Sequence, residues 1–193
     1  GYSAPQTGHD RSPSWIPTRH LYQYFVPPWK KAIKSVKTVM ESYTESDGVP
    51  LVANRDLLQY LLRQRLNFTS VLVTDYQEIR NLHNWHHIVK SDPDAVITSL
   101  QEGSVDMSMI PWDASGFATA ISEGLQQGRL TKERIRESAE RVLQLKQDLR
   151  MFDETITMID PNLDQVGTDR EAILPMVQDS IILAENKNNL LPL

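Results

Sequence analysis

The chain has 193 residues, 40% of them apolar and 23% charged, with 20 Lys and Arg against 25 Asp and Glu for a net charge of −5. That apolar content is enough to bury a core and argues against global disorder; a mildly acidic chain without a basic cluster lacks the means to neutralise nucleic-acid phosphates. No apolar run approaches the ~20 residues of a membrane span, and the absence of cysteine removes disulfides, thiolate zinc sites and cysteine nucleophiles. Gly1 is not an initiator methionine, no signal segment precedes it, and the sequence stops on Leu190-Leu191-Pro192-Leu193. A processed chain or a piece of a longer one is expected.

Residues 1–16 are rich in Gly, Ser, Pro, Asp and Thr and read as a loop. A helix is predicted from Pro17-Thr18 through Leu21, Phe25 and Ile33, kinked or split at Pro27-Pro28. Thr38-Val39-Met40 has the pattern of a short buried strand, and residues 43–53, with Asp47-Gly48 and Pro50, that of a loop. Asn54 caps a helix whose apolar positions Leu57, Leu58, Leu61, Leu62 and Leu66 form one buried face. Val71-Leu72-Val73 is a continuous apolar run, as in a parallel strand covered on both sides.

Further along, Asp92 before Pro93 starts a helix with Ala95, Val96, Ser99 and Leu100 inward. Val105–Ile110 contains a third strand, ended by Pro111. Thr131 caps the longest helix, with Ile135, Ala139, Val142, Leu145 and Leu149 as its stripe. Residues 150–169, with Asp153, Asp160, Pro161, Asp164 and Gly167, lose periodicity and read as a linker; a last helical pattern follows at Ile173, Val177, Ile181 and Ile182. Strands alternating with helices predict an α/β fold with a parallel sheet. Three such units cannot close a barrel of eight strands.

In parallel α/β folds, functional groups sit where a strand hands over to its following loop. Here those positions are Glu41-Ser42-Tyr43, Thr74-Asp75-Tyr76 and Met109-Ile110-Pro111. Asp75, flush with a strand end, has the placement of a nucleophile, a metal ligand or a helix cap. His83, His86 and His87 have an i, i+3, i+4 spacing compatible with a metal, but no carboxylate recurs with them, and solvated polar surface is the expectation. Asp10-Arg11 is expected to form a local ion pair. Asn67-Phe68-Thr69 is a glycosylation sequon on the side away from the strand ends.

Thr38-Val39-Met40, Ser42-Tyr43, Asp47-Gly48-Val49-Pro50, Ala53-Asn54, Leu57-Leu58, Leu61-Leu62-Arg63, Leu66, Phe68 and Val71–Tyr76 resemble glycoside hydrolase family 3 in order and spacing. So do Asp106–Pro111, Arg141–Lys146, Asp169-Arg170-Glu171, Ser180–Leu183, Asn186 and Leu191-Pro192-Leu193. The resemblance covers nearly the whole chain. It implies a (β/α)8 TIM barrel followed by an α/β sandwich domain. Residues 1–149 would be the last three βα units, 150–169 an interdomain linker and 170–193 the first sandwich helix.

The implied activity is retaining hydrolysis of terminal β-D-glucosyl residues from glucosides or β-glucans, with N-acetylglucosaminidases in the same family. Asp75 falls on the nucleophile, in a Ser/Thr-Asp-Trp-like pattern. Tyr43 falls on a tyrosine lying against it, Tyr76 where many members stack a Trp on the sugar, and Met109 on a methionine walling the pocket. A sugar-binding Lys-His pair would precede Gly1 and the acid/base carboxylate would follow Leu193, so this chain alone is expected to be inactive. Glu41, Glu45 and Glu78 would surround the nucleophile or be solvated. Ser70, Ser104 and Arg150 stand where glycines are usual. No cofactor, metal or nucleic-acid partner is implied; a secreted, extracellular or periplasmic location is, and the oligomeric state stays open. The alternative is a divergent, non-catalytic carbohydrate-binding remnant.

Overall fold

The computed structural model describes residues 4–9, 11–110, 113–153, 164, 166–189 and 191. Asp10, Pro111, Asp160, Pro161, Leu190, Pro192 and Leu193 therefore lie outside the described residues. The chain divides into two compact units, residues 1–152 and 153–193.

In the first unit, strand β1 (Thr38–Met40) is followed by β2 (Glu45–Ser46), β3 (Val49–Pro50) and β4 (Val71–Val73). β1 pairs in parallel with β4, Val39 opposite Leu72 and Met40 opposite Val73. On the other side of β4, Val73 bridges in parallel to Met107. The predicted strand at 105–110 is thus reduced to a single bridge. Asp106 and Met107 both donate to the Leu72 carbonyl, at 2.9 and 3.1 Å, and the Met109 N–H goes to the Thr74 hydroxyl at 2.9 Å. A side chain replaces the main-chain acceptor there, and the regular ladder stops.

The expected loop at 43–53 holds structure of its own. β2 and β3 form a hairpin, Glu45 opposite Pro50, and Ser14 adds a parallel bridge to Ser46. The Asp47 carboxylate accepts the Ile16 N–H at 3.0 Å, binding the 11–16 segment to the hairpin. Gly48, at φ +83, supplies the left-handed turn residue.

Helix α1 (Thr18–His20) continues through a π-type turn, Leu21–Phe25, into α2 (Val26–Ala32). Pro27 and Pro28 fall in the first turn of α2, directly after the π-type turn, so the predicted interruption is a change of helical hydrogen bonding at that point. The Asp56–Arg65 helix has π-type hydrogen bonding, closed by the Leu66 N–H on the Leu61 carbonyl. Its start is fixed by Asn54, whose side chain accepts the Leu57 N–H at 3.0 Å. Leu58 and Leu62 from this helix pack with Val39, Phe68 and Leu72 of the sheet side.

α3 (Glu78–Asn84), α4 (Asp92–Gln101), α5 (Ala114–Gln126) and α6 (Lys132–Asp148) follow. Ser91 caps α4 and Thr131 caps α6, each hydroxyl accepting an N–H three residues on. A second core unites Val52, Ile79, Leu82, Ile97, Leu100, Val105, Ala120 and Leu130. Gly124 lets α5 approach closely, since a Cβ there would lie 2.9 Å from Leu130 Cδ1 and 3.1 Å from Ile97 Cγ1. Ser104 and Arg150, expected glycine positions, adopt left-handed φ values of 53° and 57°.

The charge balance of this unit centres on Asp106, whose side chain is fully buried. It accepts the Leu72 N–H at 2.9 Å, Arg63 Nη2 at 2.5 Å, Ser138 Oγ at 2.6 Å and Arg141 Nη1 at 2.8 Å. Arg134 approaches to 3.9 Å and donates to the Val105 carbonyl at 2.7 Å. Burial lowers the pKa values of Arg63 and Arg134, partly offset by the Asp106 charge.

The second unit contains α7 (Arg170–Ser180), which begins at Asp169 and ends one residue before the predicted Ile181-Ile182 positions. The Asn186 amide there bridges Leu191, donating to its carbonyl at 2.9 Å and accepting its N–H at 3.1 Å.

Removing the Asp106 carboxylate leaves arginines confined together without their anion. Asp106→Ala is expected to cost about 3–5 kcal/mol of unfolding free energy. Urea unfolding of the purified protein measures this, and an unchanged midpoint would contradict it.

Candidate active site

Asp75 emerges two residues after β4, half-buried at the carboxyl end of the strand. Its backbone N–H donates to Glu41 Oε1 at 3.0 Å, and its Oδ1 accepts the Tyr76 N–H at 2.6 Å. The chain then turns through Gln77, at φ +57, whose N–H reaches the Met109 carbonyl at 2.9 Å. Asp75 therefore does not cap α3 with its side chain. Its carboxylate is turned back onto the strand-end turn and held there.

Tyr43 lies beside Asp75, but its hydroxyl donates to the Tyr76 carbonyl at 2.8 Å rather than serving only the carboxylate. The contact ties the ends of β1 and β4 together above the sheet. Arg11 lies over the Tyr43 ring, 3.9 Å from its centroid; the expected partner Asp10 lies outside the described residues. Tyr76 is exposed and Met109 half-buried. The structure thus brings Asp75, Tyr43, Tyr76 and Met109 to one edge.

Of the three carboxylates expected to surround the nucleophile or be solvated, two are enclosed. Glu41 is 3% exposed and Glu78 fully buried. Glu78 Oε2 accepts from Asn81 at 2.6 Å, and its Oε1 lies 3.7 Å from His86 Nε2. Position offered a clue to Glu41, which directly follows β1; nothing in the spacing marked Glu78 as buried. His83 faces Asp92 at 2.7 Å instead of joining His86, and among the described residues no group of three or more His, Asp and Glu is placed to hold a metal. Asn67 and Thr69 of the sequon are exposed.

Partial desolvation, followed by the Asp75 charge, raises the Tyr43 pKa, while Arg11 opposes the rise. The folded protein thus holds this proton more tightly than the unfolded chain. Its contribution to stability is present below the ordinary tyrosine value and is lost as pH rises through the folded one. The ultraviolet titration of the protein minus that of Tyr43→Phe is expected to show a midpoint above 10. A midpoint below 10 would show that the ring does not sense the carboxylate.

An acidic side chain fixed at the carboxyl end of a parallel strand, with aromatic rings at its flanks, is the geometry of an α/β enzyme site. Residues 1–145 match the model of the Glycosyl hydrolase family 3 N terminal domain. The chain is 38% identical to the lysosomal beta glucosidase of Dictyostelium discoideum, over 100% of this chain and 24% of that protein. It is 31% identical to a beta-xylosidase of Formosa agariphila, over 100% of this chain and 28% of that one. The crystal structure of the beta-glucosidase from Listeria innocua in complex with glucose superposes with a TM-score of 0.78 at 28% identity, covering 98% of this chain and 26% of that chain.

The chain belongs to glycosyl hydrolase family 3, and its α/β fold is of the TIM-barrel type found in the family's N-terminal domain. It spans about a quarter of the length of the relatives it matches. Among the described residues, no helix is long and apolar enough to cross a membrane.

Proposed function

We propose that this chain carries the nucleophile of a retaining β-glycosidase that releases terminal β-D-glucosyl residues from glucosides or β-glucans. Residues 1–149 supply the last three βα units of the barrel, 150–169 the interdomain linker and 170–193 the first helix of the α/β sandwich. The observation that carries this reading is the Asp75 carboxylate, half-exposed at the end of β4 and fixed through the Tyr76 N–H. The backbone N–H fixes one carboxylate oxygen and leaves the other free to face the sugar.

In the reaction, an Asp75 oxygen attacks the anomeric carbon as the bond to the leaving oxygen breaks. A second carboxylic acid, which the resemblance places beyond Leu193, gives that oxygen its proton. Water then cleaves the glycosyl ester, deprotonated by the same group, and configuration is retained. Tyr43 and Tyr76 bound the sugar ring and Met109 walls the pocket. The lysosomal relative from Dictyostelium discoideum supports a glycosidase that acts outside the cytoplasm, in keeping with the secreted, extracellular or periplasmic location the resemblance implies. The xylosidase relatives make β-xylosides the competing substrates.

In the full-length enzyme, Asp75→Ala is expected to lower turnover of an aryl β-glucoside by about 10³-fold or more, because a covalent step is lost. Azide should restore product formation, as the glycosyl azide of inverted configuration. An Asp75→Ala enzyme with near-normal turnover would overturn the assignment. Faster hydrolysis of the matching β-xyloside would transfer it to a xylosidase.

A further inference from the structure

The mechanism leaves the buried acid Glu41 without a task. Glu41 follows β1 directly and is 3% exposed. Its Oε1 accepts the Asp75 N–H at 3.0 Å. Its Oε2 is buried with no hydrogen-bond partner among the described residues. The side chain lines a cavity of about 160 Å³ whose other walls include Phe25, Trp29, Leu58, Leu61 and Leu62. For an ionised carboxylate in such a place, one backbone N–H is little compensation.

The charges around it make ionisation harder still. Asp75 faces it from the β4–α3 turn and Glu78 from the start of α3, while Glu45 of β2 lines the same cavity. Tyr43, from the loop after β1, is neutral below its raised pKa. The Asp56–Arg65 helix presents only leucines to the cavity and α2 only Val26 and Trp29. The basic side chains nearby face other groups, Arg11 the Tyr43 ring and His86 Glu78.

We infer that Glu41 is a positioning residue that keeps its proton: it holds the Asp75 main chain through Oε1 while adding no negative charge next to the nucleophile. This rests on the reading of Asp75 given above. Burial foremost, then the Glu78 and Asp75 charges, drive the Glu41 pKa well above the ordinary carboxylate range, with only the Asp75 N–H acting against them. The arrangement has a chemical consequence. A second anion in contact with the Asp75 backbone would repel the charge that the nucleophile has to carry.

The test compares Glu41→Gln and Glu41→Ala in the full-length enzyme. Glutamine reproduces a protonated glutamic acid in shape, keeps the acceptor for the Asp75 N–H and cannot ionise. Glu41→Gln is expected to keep kcat within about threefold and leave the acid limb of the kcat/KM profile unmoved. Glu41→Ala, which loses the acceptor, should lower kcat by about tenfold or more with KM changed far less. In the infrared, the wild-type protein at pH 6 should show a protonated-carboxyl C=O band that disappears in Glu41→Gln.

An acid limb displaced to lower pH in Glu41→Gln would show that a charge had been removed and would overturn the inference. So would a missing infrared difference, or an alanine variant with wild-type kcat. The infrared comparison does not depend on turnover. If Asp75→Ala proves fully active but the band is present, the nucleophile assignment fails while the neutral Glu41 stands.

Discussion

A buried carboxylate must be matched by donors or it destabilises the fold, and Asp106 imposes that requirement on the first unit. Its side chain is fully enclosed, and the donors that satisfy it come from three directions. The Leu72 N–H belongs to β4, Arg63 to the Asp56–Arg65 helix, and Ser138 and Arg141 to α6. Arg63 also donates to the Phe68, Ser70 and Ser104 carbonyls, which anchors the turn entering β4. Such networks add little stability over a well-packed apolar core, but this one leaves β4 a single register against both neighbours.

The site inherits its geometry from that register. Asp75 lies three residues beyond Leu72, about 10 Å along an extended strand. Between them, Thr74 donates its N–H to Met107 and receives that of Met109 on its hydroxyl, while the Glu41 N–H reaches the Val73 carbonyl from the β1 side. Beyond it, Glu41 takes the Asp75 N–H and Tyr43 reaches the Tyr76 carbonyl. Polar contacts thus run from an ionic anchor at the base of β4 to a held carboxylate at its top.

The parts of the fold legible in the sequence were those with strong local signals. The Val71-Leu72-Val73 run and the Asn54 and Thr131 caps each carry their structure in the residues themselves, whereas Ala139 and Leu149 of the predicted α6 stripe lie exposed. α3 escaped notice because seven residues with two buried apolar side chains, Ile79 and Leu82, present no stripe. α5 is rich in Ala, Ser and Gly and packs by close approach at Gly124, which periodicity does not register. The hairpin at 45–50 depends on the 11–16 segment folding back over it, a contact 31 residues long. At the site, Asp75, Tyr43, Tyr76 and Met109 were legible by position and resemblance. The enclosure of Glu41 and Glu78 was not, since burial of a carboxylate is set by tertiary packing around it.

The central claim is that Asp75 forms a covalent bond to the sugar, and the most direct measurement is to trap that bond. The full-length enzyme would be inactivated with a 2-deoxy-2-fluoro β-glucoside carrying a good leaving group, digested, and its peptides sequenced by mass spectrometry. The account predicts a single fluoroglucosyl ester on Asp75, in the peptide containing Val71–Tyr76. Label on Glu41, Glu45 or Glu78, or inactivation without any label in this chain, would contradict it.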